Sequence, residues 1–301
     1  MAREYPEEIL RELHTVELEM LKVFTDICER HEIEYFVAFG TAIGAIRHSG
    51  FIPWDDDIDI GMMRSEYEKL RSVPCEEWGD EYFIADARDD CIFHRTLFPR
   101  MYKRGTAFET EKYVKYLKPE TVDRYPIYID LFLFDAVEEK TSLRLRRSFA
   151  DLVKRAITCS TCERRIYKTD SLYMKSLSVI KKGIIAFLKL FRHPEKALYR
   201  IYLRHMKEKS HGEYVTCFEV VETREVQALC CRRSEMAPTE FVDFEGLKVR
   251  IQRNYDAVLR RLYGNYMEYP PENKRHNELP RILDFGDYRG NVLESQWQEK
   301  S

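Results

Sequence analysis

Two stretches of this 301-residue chain hold residues whose types and spacing can do chemistry. The first runs Phe39-Gly-Thr-Ala-Ile-Gly-Ala-Ile-Arg-His-Ser-Gly-Phe-Ile-Pro-Trp-Asp-Asp-Asp-Ile-Asp-Ile60. Gly40 and Thr41 stand between an apolar run and a helical pattern. Glycine lets a ligand approach the backbone closely, the free N–H groups of a helix start suit a phosphate, and the Thr hydroxyl adds one more donor. Asp55, Asp56, Asp57 and Asp59 then crowd four carboxylates into five positions. As a strand, Asp57-Ile-Asp-Ile60 would point both aspartates to one face and both isoleucines to the core. Carboxylates about 7 Å apart along a strand repel one another without a cation between them, and hard oxygen ligands suit Mg²⁺ or Mn²⁺. A solvated acidic loop would not need the Ile-x-Ile alternation. Asp55 and Asp56 are expected to cap the turn or tune the local field, not to ligate.

The second stretch is Ile127-Tyr-Ile-Asp-Leu-Phe-Leu-Phe134, where Asp130 is a lone charge in an apolar run. A buried lone carboxylate is costly unless it is paired or metal-bound, so Asp130 is the expected third ligand beside Asp57 and Asp59. Asp135, just beyond, is the less convincing choice. Arg47 and His48, one helix after Gly40-Thr41, are expected to contact phosphate or position an acceptor; the alternative is a structural pair of Arg47 with Asp55 or Asp56. Arg100, Lys103 and Arg104 follow a strand and are candidates for substrate phosphates. Trp54 adjoins the aspartate run and offers an aromatic wall to a cationic headgroup or a core side chain.

These residues need elements to hold them. Apolar positions from Ile9 to Ile27 recur at helical spacing, so residues 7–30 read as an amphipathic helix, with Leu18 off the stripe. Tyr35 to Phe39, Asp57 to Ile60, Tyr82 to Ala85, Thr96 to Tyr102 and Ile127 to Phe134 read as strands, and Ala42 to Arg47 and Glu66 to Arg71 as helices. Strands alternating with helices imply an α+β (mixed α/β) fold, a mixed sheet flanked by helices. The chain divides into an N-terminal helix (1–30), a catalytic core (31–140), a basic helical insertion (141–210) and a C-terminal part (211–301) that completes the domain.

Composition narrows the class. Apolar residues make 44% of the chain and aromatic residues 13%, enough to build a core and too much for a disordered chain. The net charge of −3 predicts no affinity for nucleic acid, but it is uneven. Residues 141–210 carry 18 Lys+Arg against 5 Asp+Glu, and the rest 31 against 47, so the insertion is +13 and the remainder −16. Within the insertion, apolar positions from Tyr173 to Phe191 recur at helical spacing, with Lys175, Lys182 and Lys189 on another face. Such a helix either packs on a core or meets an anionic membrane surface or polymer. No secretory leader and no run of about 18 apolar residues is visible, so a cytoplasmic protein with reduced cysteines is expected, peripheral to the membrane at most. Cys159-x-x-Cys162 and Cys230-Cys231 lie in helical or apolar surroundings, and zinc is not expected.

Gly-Thr, an Asp-x-Asp strand and a later strand aspartate form the pattern of the nucleotidyltransferase fold. Within that fold, GTAIGAIRHSGFIPWDDDIDI followed by MMRSEYEKL resembles the signature of the LicD family of phosphocholine transferases, related to the catalytic domains of fukutin and fukutin-related protein. Tyr128-Ile-Asp130-Leu-Phe132, Phe244-Glu-Gly246, Leu262 to Met267 and Pro270 to Lys274 follow in the same order. Val249-Arg-Ile-Gln252 departs from the pattern, which has a proline after that strand. The resemblance implies transfer of phosphocholine, or a similar phospho-alcohol, from CDP-choline or another CDP-alcohol to a hydroxyl of a cell-surface glycan precursor such as lipopolysaccharide or teichoic acid, releasing CMP. It implies Mg²⁺, or Mn²⁺, on Asp57, Asp59 and Asp130, which would be the catalytic residues. Gly40, Thr41, Arg47, His48, Trp54, Arg100 and Lys103 would contact substrate. The fold pattern alone also admits a nucleotidyltransferase that attaches NMP from an NTP, or a binding module without activity.

Overall fold

A computed structural model describes residues 5–89, 97–110, 125–138, 143–161, 194–208, 212–220, 223–272, 275, 280–286 and 291–292. The first element is helix α1 (Glu7–Arg30). Glu7 and Glu8 in its first turn and Arg30 in its last complement the helix dipole. Its stripe of Leu13, Met20, Leu21, Phe24 and Ile27 is fully buried, each side chain contributing about 1.5–3 kcal/mol. Glu17 is buried on the same helix, an unexpected charge at such a place.

The chain continues through β1 (Phe36–Val37), α2 (Phe39–His48), β2 (Asp59–Met63), α3 (Arg64–Arg71), β3 (Tyr82–Ala85), β4 (Arg100–Lys103), β5 (Ala107–Thr110) and β6 (Tyr128–Val137). Helices α4 (Leu143–Thr161) and α5 (Pro194–Glu208) belong to the basic segment. Then come β7 (Tyr214–Cys217), α6 (Thr223–Leu229), β8 (Cys231–Arg232), α7 (Arg233–Met236), β9 (Glu240–Phe244), β10 (Leu247–Ile251), α8 (Tyr255–Tyr263), β11 (Pro280–Asp284) and β12 (Asn291–Val292). The main sheet is mixed, ordered β3-β4-β6-β2-β1-β10-β9, with β7 and β8 continuing from the far half of β6; β12-β11-β5 form a smaller sheet. The α+β architecture expected from the sequence is present. The strand at the first aspartates starts at Asp59, so Asp57 lies in the loop that enters β2. The expected strand over Tyr35 to Phe39 is cut to Phe36–Val37 because α2 already begins at Phe39.

Strand β6 organises this sheet. It pairs in parallel with β2, antiparallel with β4 near its start and antiparallel with β7 at its end. A strand covered on both faces reads as a near-continuous apolar run, which accounts for Ile129 to Phe134. Sheet alternation assigns Ile58, Ile60, Ile129, Leu131 and Met101 to the core under α1. Asp59, Asp130 and Arg100 therefore lie on the other face.

The basic segment is tied to the core by buried arginines. Arg146 donates to the Ala136 carbonyl at 2.8 Å, and Arg147 to those of Phe218 (2.7 Å) and Val220 (2.6 Å). Part of the positive charge read as surface charge is thus internal. The Tyr173 to Phe191 helix lies outside the described residues. Arg64 makes the second tie. It donates to both oxygens of Asp135, at 2.7 and 2.8 Å, and to Glu219 at 3.0 Å, all three side chains being buried. Tyr202 on α5 donates to Glu219 as well.

Arg64→Met leaves two buried carboxylates without their cation and is expected to destabilise the fold by about 3–5 kcal/mol, measurable by urea unfolding. Burial, and after it Asp135, push the Glu219 carboxyl from 4.5 up to about 7, against the pull of Arg64. Its folded pKa lies above the unfolded one, so the native state holds the proton longer. The neutral acid's contribution is full at low pH and is lost as pH rises from about 4.5 through 7. In Glu219→Gln that part of the pH dependence of unfolding should vanish.

Candidate active site

The parallel register of β2 and β6 sets Asp59 directly opposite Asp130, and β4 sets Arg100 opposite Asp130 from the other side. One cation and two carboxylates thus lie in a row across three strands. Arg100 Nε donates to Asp130 Oδ1 and its Nη1 to the Tyr125 hydroxyl, while its guanidinium carbon lies 3.7 Å from the Tyr128 ring centre. Burial pushes the Asp130 carboxyl up and Arg100 pulls it back. Burial and then Asp130 push up Asp59, and burial and then Asp59 push up Asp57. Asp57, Asp59 and Asp130 therefore form one electrostatic unit.

Asp55 and Asp56 join them. Carboxylate oxygens of Asp55, Asp56 and Asp57 lie within 4.8 Å of one another, and among the described residues no other trio of potential metal ligands comes this close. The expectation that Asp55 and Asp56 act only on the turn or the field thus underestimates them: both stand in the carboxylate cluster itself. Burial, then Asp56, raise the Asp55 carboxyl to about 7, with Arg47 opposing. Neutral donors hold the loop. Tyr5 donates to Asp56 Oδ2 at 2.8 Å, and His14 Nε2 lies 2.7 Å from the Asp55 carbonyl while its ring stacks on Phe51.

Gly40 and Thr41 sit in the first turn of α2. A Cβ at Gly40 would lie 2.6 Å from Asp55 Oδ2, so glycine here makes room for that carboxylate. Thr41 is buried, and its hydroxyl accepts the Asp59 N–H at 2.8 Å. The hydroxyl expected to donate to a phosphate thus also anchors the first residue of β2, and its own proton is not used in that bond. Phe39 just before has φ 46°, a left-handed conformation that a bulky side chain rarely adopts; its ring packs edge-on against Phe132. Strain of this kind collects at functional sites.

Arg47 Nη1 donates to the carbonyls of Tyr266 (2.6 Å) and Glu268 (3.3 Å), and its guanidinium covers the Tyr269 ring at 4.9 Å. It anchors the loop after α8, and no ion pair with Asp55 or Asp56 forms. His48 accepts from Arg47 Nε at 2.9 Å; burial, then Arg47, lower its pKa and favour the neutral ring. Trp54 packs on Tyr269, and Arg275 lies over both rings at 5.2 and 5.3 Å. A guanidinium thus covers a face of the Trp54 ring that had been expected to receive a cationic headgroup.

Two phosphate candidates are placed differently from expectation. Arg100 is committed to Asp130 and Tyr125. Lys103 lies on the opposite face of β4, under α1, where Nζ meets Glu19 at 3.2 Å and the Tyr82 hydroxyl at 3.3 Å. Strand alternation separates them: positions three apart point to opposite faces. Asp135, the less convincing ligand, is the structural partner of Arg64. Sequence reasoning missed Tyr5, His14, Glu17, Tyr269 and Arg275. All come from elements distant in sequence, and the one visible signal was Glu17 on an apolar helix stripe.

Replacing the Thr41 hydroxyl by a methyl strands the Asp59 amide. Thr41→Val is expected to cost about 1–3 kcal/mol by denaturant unfolding, whereas Thr41→Ser should stay close to the parent.

Comparison with known proteins agrees with this geometry. The family described as LicD/FKTN/FKRP, nucleotidyltransferase domain, matches residues 32–148. The lipopolysaccharide cholinephosphotransferase LicD of Haemophilus influenzae is 28% identical over 267 residues, which cover 87% of this chain and 93% of that protein. Uncharacterized proteins of Rickettsia prowazekii and Rickettsia typhi match shorter stretches, at 36% identity over 55 residues and 40% over 48, about a fifth or less of either chain. The matched domain spans α2, β2, β4 and β6, the elements that bring Asp57, Asp59, Asp130 and Arg100 together, and over residues 32–148 the chain is similar to the LicD family's nucleotidyltransferase domain.

Proposed function

We propose that this protein transfers phosphocholine, or a closely similar phospho-alcohol, from a CDP-activated donor to a hydroxyl of a lipopolysaccharide or related glycan, releasing CMP. The observation that carries the reading is the similarity to a lipopolysaccharide cholinephosphotransferase over most of both chains, in a chain whose β2 and β6 set Asp59 against Asp130. The donor set fits a hard divalent cation. Several carboxylates of one charge crowd together, with oxygen ligands alone. Asp57 and Asp59, with Asp130, would hold Mg²⁺, which when bound neutralises charge on the pyrophosphate and the departing CMP.

The chain's own residues supply positioning. Thr41 fixes the Asp59 backbone, and Arg100 fixes the Asp130 carboxylate. The acceptor oxygen bonds to the phosphorus that carries the alcohol as the bond from that phosphorus to the CMP oxygen breaks. The acceptor proton passes to the Asp59–Asp130 pair. Arg47, Arg275, Trp54 and Tyr269 form a cationic, aromatic wall beside Asp55 that suits the donor's phosphates and base. No described helix is long and apolar enough to cross a membrane. On this reading the chain works at the inner face of the membrane, where the basic segment 141–210 meets anionic surface or polymer.

The test is CMP release from CDP-choline with Mg²⁺ and a glycan acceptor, alongside a melting screen of CDP-choline, CDP-ribitol, CDP-glycerol and CDP-ethanolamine. Asp57→Asn, Asp59→Asn and Asp130→Asn should each lower turnover by about 10²–10³-fold while unfolding cooperatively. The preferred donor should raise the melting temperature most. Pyrophosphate released from CTP, with no CMP from any CDP-alcohol, would instead establish the NMP-transferring reading.

A further inference from the structure

Basic side chains mark β4 and the residue after it. Arg100 is held by Asp130, and Lys103 by Glu19. Arg104 is exposed and makes no ion pair among the described residues. Its backbone N–H donates to the Glu81 carbonyl at 2.7 Å, which extends the β3–β4 ladder by one residue, and Gly105, at φ 75°, then turns the chain away. Alternation puts Arg104 on the same face as Arg100 and Tyr102. There its guanidinium lies over the Phe83 ring, 4.3 Å from the centre. Phe83 in turn stacks on Tyr102 at 5.2 Å, and Tyr102 meets Tyr128, the ring under Arg100, edge-on at 6.3 Å. A row of rings thus links the two arginines and fixes the position of Arg104 relative to the proposed reaction centre.

Arg104 lines a cavity of about 770 Å³, within the size range of small-molecule sites. The cavity lies at the outer edge of the main sheet, where β3 is the last strand. Tyr82, Phe83 and Ile84 all line it, and successive residues point to opposite faces, so the cavity runs along the strand's edge. Trp78, from the 3₁₀ turn Cys75–Trp78, and the exposed Asp80 add an aromatic ring and a carboxylate. Arg71 lines the cavity too, but Asp89 already engages it through both oxygens, at 2.8 and 2.6 Å. Arg104 is therefore the cation this lining leaves for a ligand. Aromatic rings, a carboxylate and an uncommitted guanidinium around one cavity suit a charged sugar. The rings pack on its C–H face, Asp80 accepts from hydroxyls, and the Arg104 fork meets an oxyanion. An added peptide strand suits it less, because β3 spans only four residues and the next one, Asp86, is fully buried and held by Arg88. Ala85, Arg100, Asp130 and Asp59 stand in one row across β3, β4, β6 and β2. The edge strand is thus two strands from Asp130, about 10 Å.

We propose that this cavity binds the outer part of the acceptor glycan, an oligosaccharide whose phosphate or carboxylate is held by Arg104 while the reacting hydroxyl reaches the Asp59–Asp130 pair. The inference rests on the proposed transfer to a glycan and adds where that glycan is held. Phe83 acts through Arg104 and is a positioning residue.

The test has two arms. In the first, a deacylated lipopolysaccharide core oligosaccharide is titrated calorimetrically into the full chain without nucleotide. Arg104→Ala should weaken its binding about tenfold, and Arg104→Lys, which keeps the charge and loses the fork, by less. Enzymatic dephosphorylation of the oligosaccharide should reproduce the loss if the anion is a phosphate, and reduction of its carboxylates if it is a carboxylate; indifference to both treatments overturns the proposal. In the second arm, CMP release, Arg104→Ala should raise the KM for the oligosaccharide about tenfold and leave the KM for CDP-choline in place. Binding that depends on Arg104, with no CMP released from any CDP-alcohol, supports the subsite and removes the transfer reading instead. No binding to the parent, or equal binding to the parent and Arg104→Ala, overturns the subsite whether or not CMP is released. A dimer in sedimentation that Arg104→Glu abolishes and the oligosaccharide leaves intact also overturns it, and makes the β3 edge a docking surface for a second copy.

Discussion

Mutual repulsion among carboxylates gathered at one end of two parallel strands shapes the surroundings of this site. Asp59 and Asp130 are neighbours because β2 and β6 run parallel in that register, and the loop before β2 adds three more acids. Charges this close in a partly desolvated place interact far more strongly than in water. The surrounding structure is largely a response to them. Arg100 compensates Asp130, the Thr41 hydroxyl secures the Asp59 backbone, and Tyr5 and His14 hold the loop with neutral hydrogen bonds. Asp55, Asp57, Asp59 and Asp130 each have the pKa raised, with burial the largest cause. On the proposed function, the divalent cation offsets this cost.

Two buried arginines show how similar chemistry serves different ends. Arg64 meets two carboxylates with good bidentate geometry, and the cluster also engages Tyr202 on a helix of the basic segment. Its work is to join parts of the chain. Arg100 meets one carboxylate that also has another acid as its cross-strand neighbour. There the guanidinium moderates charge at the proposed reaction centre. Asp130 and Asp135 lie five residues apart on the same strand, and their roles follow from which arginine reaches them. Alternation places an odd spacing on opposite faces.

Much of the frame was legible in the sequence. The stripe of α1, the glycine–threonine start of α2, and the lone Asp130 within an apolar strand all rest on local periodicity or on the cost of an unpaired buried charge. The errors have a common form. Asp57 was read as a strand residue because polar-apolar alternation does not mark where pairing begins, and pairing begins at Asp59. Lys103 was read as a donor to substrate because a sequence shows what a side chain can do and not what already occupies it.

What the sequence determined by itself is the α+β class, the likeness of residues 32–148 to the LicD domain, and the crowding of acids at the start of β2 and within β6. These depend on residue type and on spacings of two to four positions, which backbone geometry converts directly into faces and turns. Only the tertiary structure decided which partner each charge finds. Asp59 meets Asp130 across 71 positions of sequence, Arg64 meets Glu219 across 155, and Tyr5 meets Asp56 across 51. Such pairings depend on strand register and on how a helix packs across a sheet. Both are set by the whole core at once, so no local stretch of sequence encodes them.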